Sequence, residues 1–321
     1  MIKSITVSHQ VVHLKEPFVT ALRQVLDYPV IHVRVELETG VIGIGECVAT
    51  PQISGDSFEE IWEELNSKQV SDLREFTPET IAELNLLNSS KAALDMAWWN
   101  MEANQSCSVR TDITIPIVPL IDLPKIIVDR KAAGFKNYKL KVGQDSISNL
   151  LRRVELIREL VGENTLIRID PNQSWQLDYG IRATQELMKT AANIDYLEQP
   201  LHKADLSGHK ALAKESSIPL MADESCFSLD ELGRVIETEA FQFLNVKILK
   251  AGGVVPALKL ARAAQDAGLR VSIGSMMEGD HGIRAAVYLA HLVAPEVVHD
   301  LDAAWWIKDS AIEYQAGMVS L

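Results

Sequence analysis

The chain has 321 residues, 47% apolar and 23% charged, the balance of an ordinary soluble globular protein with room for a sizeable core. Its net charge of −13, from 44 acidic and 31 basic residues, argues against DNA, RNA or an anionic membrane surface as a partner. Cys47, Cys107 and Cys226 lie far apart with no CxxC and no even-numbered framework, so a reducing compartment is expected. The N-terminus has one lysine and none of the apolar run of a signal peptide. The most apolar stretch, 285–294, is interrupted by His291 and is far too short to span a bilayer.

Residues 2–12 and 30–47 are rich in Val and Ile, and a turn at Glu38-Thr39-Gly40 makes the second stretch a β-hairpin. Helical stretches follow near 56–66, 78–88 and 89–104, so this part reads as an α+β unit. Gly43-Ile44-Gly45 closes the hairpin and carries no nucleotide fingerprint, and Gly252-Gly253 carries none either. His9 and His13, in a strand candidate, stand roughly 13 Å apart and cannot share a metal. From about residue 112, β-type runs at 113–118, 137–142, 166–170, 194–198, 219–222, 241–247, 269–273 and 297–300 alternate with amphipathic helices such as 148–161 and 254–267. That pattern predicts an α/β fold built on a (β/α)8-type barrel, with a doubly wound sheet as the alternative.

Asp170, Glu198, Asp223 and Lys247 end four successive strand candidates at spacings of 28, 25 and 24 residues, and Gly274 and Asp300 continue at 27 and 26. One βα unit is about that long, so these residues share the rim on which barrels build active sites. A single polar residue there would mark only the surface end of a strand. Three carboxylates in register on adjacent strands repel one another, and a hard divalent cation removes the conflict. An all-oxygen ligand set with room for water and substrate favours Mg²⁺, with Mn²⁺ the other candidate.

Lys139 and Lys141 fall on one face of their strand, the barrel interior, unless they are surface lysines of an edge strand. Two lysines near each other and near a cation depress each other's pKa, which makes a neutral lysine available as a base. Lys247 shares a face with Phe243 and Asn245, and Lys250 falls in the following loop. The second and sixth strands are four apart in a ring of eight, so Lys141 and Lys247 face each other across the mouth. A base on each side of a carbon acid predicts racemisation or epimerisation, with the metal holding the substrate carboxylate and stabilising an enediolate. Asp300 and Asp302 end the eighth strand, across the barrel from the metal. They would receive an ammonium, so the substrate would be a dipeptide, or they form a solvated turn before Trp305-Trp306.

Lys139-x-Lys141, Asp170-Pro-Asn172, Glu198-Gln-Pro200, Asp223-Glu-Ser225 and Asn245-Val-Lys247-x-x-Lys250-x-Gly-Gly253 resemble the muconate-lactonising subgroup of the enolase superfamily. Asp300-x-Asp302 narrows the resemblance to the dipeptide epimerases and is similar to their motif for the α-ammonium. The segments from Pro17 to Arg23 and from Ile53 to Ser57 look like the mobile capping loops of L-Ala-D/L-Glu epimerases. The resemblance implies an N-terminal α+β capping domain over 1–110, a (β/α)8-type barrel over 111–303 and a C-terminal segment, 304–321, returning to the cap. It implies Lys141 and Lys247 as acid/base catalysts, Lys139 tuning Lys141, and Asp170, Glu198 and Asp223 as metal ligands supported by Asn172 and Glu224. It places Arg23 on the side-chain carboxylate of a substrate Glu, with Thr114 and Glu278 lining the pocket.

The implied activity is that of a Mg²⁺-dependent isomerase, an L-Ala-D/L-Glu epimerase of murein peptide metabolism in the cytoplasm. Its partner is a small dipeptide, with no nucleic acid or membrane, and a homo-oligomer is left open. The alternatives are o-succinylbenzoate synthase or N-succinylamino-acid racemase, a dipeptide epimerase of other specificity, or a non-catalytic metal-binding barrel. The chain departs from the pattern in a short junction from Ala103-Asn104-Gln105 to Thr111-Asp112 and in ending 19 residues after Asp302. The loop from Met276 to His281 is also more polar than the resemblance leads one to expect.

Overall fold

The computed structural model describes residues 1–102, 106–163, 165–190 and 193–321. Strands β1 (Ile2–Val19), β2 (Gln24–Leu37) and β3 (Ile42–Val48) form an antiparallel sheet in that order. Of the expected mobile segment Pro17–Arg23, Pro17–Val19 belong to β1 and the other four residues form a turn. After an irregularity between His13 and Phe18, pairing resumes at Phe18 with Val25 and Val19 with Gln24, leaving a turn at Thr20–Arg23.

Gly43 and Gly45 do not close the hairpin either. They lie inside β3 against the helix Asn88–Glu102, whose inner face is built from Ala92, Ala93 and Ala97. A Cβ on Gly45 would stand 1.9 Å from the Ala93 carbonyl oxygen, and one on Gly43 would stand 2.0 Å from that of Ala97. Only glycine lets the helix backbone approach this closely. The junction at Ala103–Gln105, with the end of the expected helix, lies outside the described residues.

The barrel follows. β4 (Ser108–Thr111) leads into β5 (Ile113–Ile115), and β6 (Tyr138–Lys141), β7 (Ile167–Asp170), β8 (Ile194–Glu198), β9 (Leu220–Ala222), β10 (Phe243–Lys247) and β11 (Arg270–Gly274) pair in sequence order with β5 into a curled parallel sheet. β12 (Val298–His299) brings the two edges together. Asp300 bridges Gly274, its N–H donates to the Ile273 carbonyl at 3.0 Å, and Asp112 N–H donates to the His299 carbonyl at 3.0 Å. β13 (Glu313–Gln315) and β14 (Met318–Ser320) form a hairpin that pairs with β4. Both faces of these short parallel strands are covered, which is why β6, β7 and β10 are buried throughout.

The cap is fastened to the barrel beside the strand ends. Asp95, from the cap helix, accepts hydrogen bonds from the N–H groups of Val254 (2.5 Å) and Val255 (3.1 Å) at the start of the helix Val254–Asp266. Gly252 and Gly253 precede it with φ of +87° and +145°, and a Cβ on Gly253 would lie 2.5 Å from Asp95 Cγ. The glycine pair therefore serves a tight domain contact. Among the described residues, no helix is long and apolar enough to cross a membrane.

Gly45→Ala is expected to lower unfolding free energy by about 3 kcal/mol through overpacking of the helix against β3. Urea denaturation measures this, and an unchanged midpoint would mean that the helix has room to move away.

Candidate active site

The strand ends converge as the sequence spacing demands, and the register places each side chain. Lys141 lies beside Asp170 across β6 and β7, and Lys139 is two residues deeper on the same inner face. Lys141 Nζ is 2.5 Å from Asp170 Oδ2, and Lys247 Nζ is 2.7 Å from Asp223 Oδ2. Lys139 Nζ lies 3.2 Å from Asp170, 2.8 Å from Glu198 Oε2 and 2.8 Å from Asp300 Oδ2. All seven of these residues are at least nine-tenths buried.

This geometry reverses the expected lysine electrostatics. Burial works against the Lys139 ammonium, but Asp300, Glu198 and Asp170 outweigh it and hold its pKa well above the usual lysine range. Lys247 is likewise raised, its burial overcome by Asp223. With the carboxylates as neighbours, the lysines are counter-ions first. Glu198 is pushed up to about 7 by burial, with Asp170 and Asp223 adding to the shift and Lys139 opposing it.

Asp300 and Asp302 are not walled off from the other acids, contrary to the expectation of opposed pockets. Asp300 shares Lys139 with Asp170 and Glu198, and Asn245 Nδ2 bridges Glu198 Oε1 (3.0 Å) and Asp300 Oδ2 (3.2 Å). Asp302 Oδ2 accepts from Thr114 N–H at 2.7 Å and from Trp306 Nε1–H at 2.9 Å. Among the described residues, the acids whose oxygens gather within 4.8 Å of one another are Asp112, Asp300 and Asp302. That group is already compensated: Arg168 binds Asp112 at 2.7 Å, Lys139 binds Asp300, and the N–H donors hold Asp302.

The acids on β7 to β9 are better suited to a hard cation. Both Glu224 oxygens, Asn172 Oδ1 and Glu198 Oε2 are buried without a hydrogen-bond partner, although Oε2 keeps its ion pair with Lys139. Glu224 is pushed up to about 8, by burial first and then by Asp223 and Asp170. An excess of buried, incompletely satisfied carboxylate oxygens is the donor set that Mg²⁺ takes, so these residues fit the expected metal.

Three supporting residues take more definite places than sequence spacing alone supplies, and one of them, Gln199, has no role predicted from sequence. Lys250 is buried in the short helix Ile248–Ala251 rather than in a loop, and its Nζ pairs with Asp223 Oδ1 and donates to the Asp223 carbonyl at 2.7 Å. Gln199, at a left-handed φ of 38°, accepts through Oε1 from the N–H groups of Asp223 and Ser225, each at 3.0 Å. It joins the ends of β8 and β9. Its position between Glu198 and Pro200 was the only sequence signal. Asn172, also left-handed at 46°, donates its N–H to Asp170 Oδ1 at 2.8 Å.

A cavity of about 60 Å³ lies over these groups, with Lys141, Lys247, Asn172, Thr114, Asp300 and Asp302 in its floor and walls. Phe18, Leu22, Arg23 and Ile53 of the cap line it as well, and Met276 and Met277 complete the wall. Arg23 has no ion-pair partner among the described residues, and burial lowers its pKa. Glu278 is not in that lining. Its carboxylate accepts from Met276 N–H at 2.8 Å, and its Oε2 lies over Gly282, close to Glu46. Burial pushes it up to about 8. Larger cavities, of 220 Å³ beside Trp99 and 430 Å³ at the opposite mouth of the barrel, contain neither facing lysine, and one of 240 Å³ beside Gly143 takes in Lys141 but not Lys247.

Residues 2–110 match the N-terminal domain of mandelate racemase / muconate lactonizing enzyme, and residues 125–321 match the enolase C-terminal domain-like family. The chain belongs to this mandelate racemase/muconate lactonizing enzyme family. It is 32% identical to an L-Ala-D/L-Glu epimerase of Clostridium acetobutylicum over 94% of this chain and 89% of that one. The substrate-liganded L-Ala-D/L-Glu epimerase of Bacillus subtilis superposes with a TM-score of 0.93 at 29% identity, covering 100% and 96% of the two chains. A dipeptide epimerase of Enterococcus faecalis, complexed with Mg and L-Leu-L-Tyr, gives 0.91 at 28% identity over 100% and 97%. An N-succinyl-L-Arg/Lys racemase of Bacillus cereus is 30% identical over 86% of this chain and 80% of that one.

The raised carboxyls set a pH dependence. A carboxyl whose folded pKa exceeds its unfolded one contributes stability that is complete below the unfolded value and lost as pH rises through the folded one. Glu198 at about 7 and Glu224 and Glu278 at about 8 act in this sense. His209 and His299, pushed down to about 4 by burial, act in the opposite sense and are finished by about pH 6.5. In EDTA, the urea midpoint is expected to fall between about pH 6.5 and 8. A flat or rising midpoint would contradict the charge arrangement.

Proposed function

We propose that the chain is an isomerase that epimerises dipeptides by moving the α-proton between Lys141 and Lys247, with L-Ala-D/L-Glu as the preferred class of substrate. One observation carries the reading: the two lysines line one cavity from strands β6 and β10, on opposite sides of the acids of β7, β8 and β9. A carbon acid seated between them has one amine to take its proton and another to return one on the opposite face. Asp170, Glu198 and Asp223 would hold Mg²⁺, which supplies positive charge beside the substrate carboxylate. Lys139, ion-paired with Asp170, Glu198 and Asp300, offsets the mutual repulsion of these acids.

Asp302 and Asp300 would receive the α-ammonium at the far end of the cavity, and the unpaired Arg23 guanidinium suits the side-chain carboxylate of a Glu residue. At about 60 Å³ the cavity is well below the roughly 300 Å³ of ordinary small-molecule sites. The turn at Thr20–Arg23 and the segment around Ile53 therefore open to admit substrate and close over it.

Incubating a dipeptide library in D2O with Mg²⁺ is expected to place deuterium at the α-carbon of the C-terminal residue, foremost in Ala-Glu, as read by mass spectrometry. Lys247→Ala and Lys141→Ala should each slow epimerisation by roughly 10³-fold. No deuterium in any dipeptide would refute the reading, and turnover of N-succinylamino acids that survives Asp302→Asn would assign the racemase chemistry instead.

Metal binding has a separate readout. Mg²⁺ at roughly 100 times its dissociation constant should stabilise the wild-type protein by about 2.7 kcal/mol in urea unfolding. Asp223→Asn should abolish that increment, and equal stabilisation of both proteins would place the ion elsewhere.

A further inference from the structure

Trp306 does not line the cavity, yet it is fully buried directly behind it. Its ring is fixed on several sides: Phe18 meets it edge-on at 5.0 Å between centroids, and the Arg130 guanidinium lies 4.9 Å from its centre. Arg130 in turn is ion-paired with Glu16 of β1. The indole N–H is aimed at Asp302 Oδ2.

Asp302 needs such a donor more than its neighbours do. Arg168 pairs with Asp112 and Lys139 with Asp300, whereas Asp302 has no ion-pair partner among the described residues. Burial and Asp300 push its carboxyl up; Trp306 and Thr114 pull it down. A carboxylate that is to receive an ammonium must stay charged and must not turn toward the other acids.

We propose that Trp306 is a positioning residue, whose indole N–H holds the Asp302 carboxylate oriented to the cavity as the receptor for the substrate's α-ammonium. This rests on the dipeptide reading above. The residue acts only through Asp302 and the packing of Phe18, and it touches no reacting atom.

Trp306→Phe keeps a ring against Phe18 and Arg130 but removes the donor. For Ala-Glu, KM is expected to rise about tenfold while kcat changes by less than about threefold. A fall in kcat at constant KM, or no change in either, would overturn the proposal. A second readout needs neither substrate nor that variant: the Trp306 indole proton, bonded to a carboxylate, should move upfield in the NMR spectrum of Asp302→Asn.

A third readout is the Asp302 carboxyl titration followed by ¹³C NMR, where Asp300, Asp112 and Tyr314 are the other titratable groups facing it. Trp306→Phe should shift that titration to higher pH, because the charged form loses a donor. An indole proton insensitive to Asp302→Asn, or an unmoved titration, would refute the orienting role. If the wild-type protein turns over no dipeptide, the substrate reading fails while these two measurements still decide the role of Trp306.

Discussion

Lys139 carries the electrostatics of the rim. Its ammonium is buried within 3.2 Å of carboxylates from β7 and β8 and of Asp300, just beyond β12. Removing one partner of a buried ion pair typically costs roughly 3–5 kcal/mol, because the other is left uncompensated. Here one cation has three such partners, and Asn245 repeats part of its role by bridging Glu198 and Asp300. The acids suited to a metal and those suited to an ammonium thus form one network, and a change in charge at either end is felt at the other.

The cap is tied to that network through buried polar contacts as well as apolar packing. Asp95 supplies the missing acceptor at the helix that follows Lys250, and Arg130 links Glu16 of β1 to the Trp305–Trp306 pair beneath Asp302. Phe18 joins the same stack from the cavity side. The short turn at Thr20–Arg23 is therefore held between paired strands rather than carried on a long loop.

The barrel was legible in the sequence because parallel strands repeat at the length of a βα unit, which also placed Asp170, Glu198, Asp223 and Lys247 on one rim. Period-2 alternation was enough to turn Lys139 and Lys141 the same way. What sequence could not supply was contact across non-neighbouring strands. Lys139 meeting Asp300 spans 161 positions, and Thr114 meeting Asp302 spans 188. The lysine electrostatics were misjudged for the same reason, since their sign depends on which charges arrive first. Gly43 and Gly45 read as closing the hairpin, but their real constraint is a helix carbonyl standing where a Cβ would be, and at Gly253 the Asp95 side chain stands there in the same way.

Across the sheet from β6 to β10, the inward residues run lysine, aspartate, glutamate, aspartate, lysine, an order that reads the same from either side. Even the partners are doubled: Asp170 holds Lys141 and Lys139, and Asp223 holds Lys247 and Lys250. A palindrome of charge presents nearly the same field to either face of a flat centre lying over β8. The palindrome is broken in one respect. Lys139 sits a layer deeper on the strand of its partner, whereas Lys250 comes from a helix beyond the end of its own. That difference of depth is one source of handedness in the way the site treats its two faces.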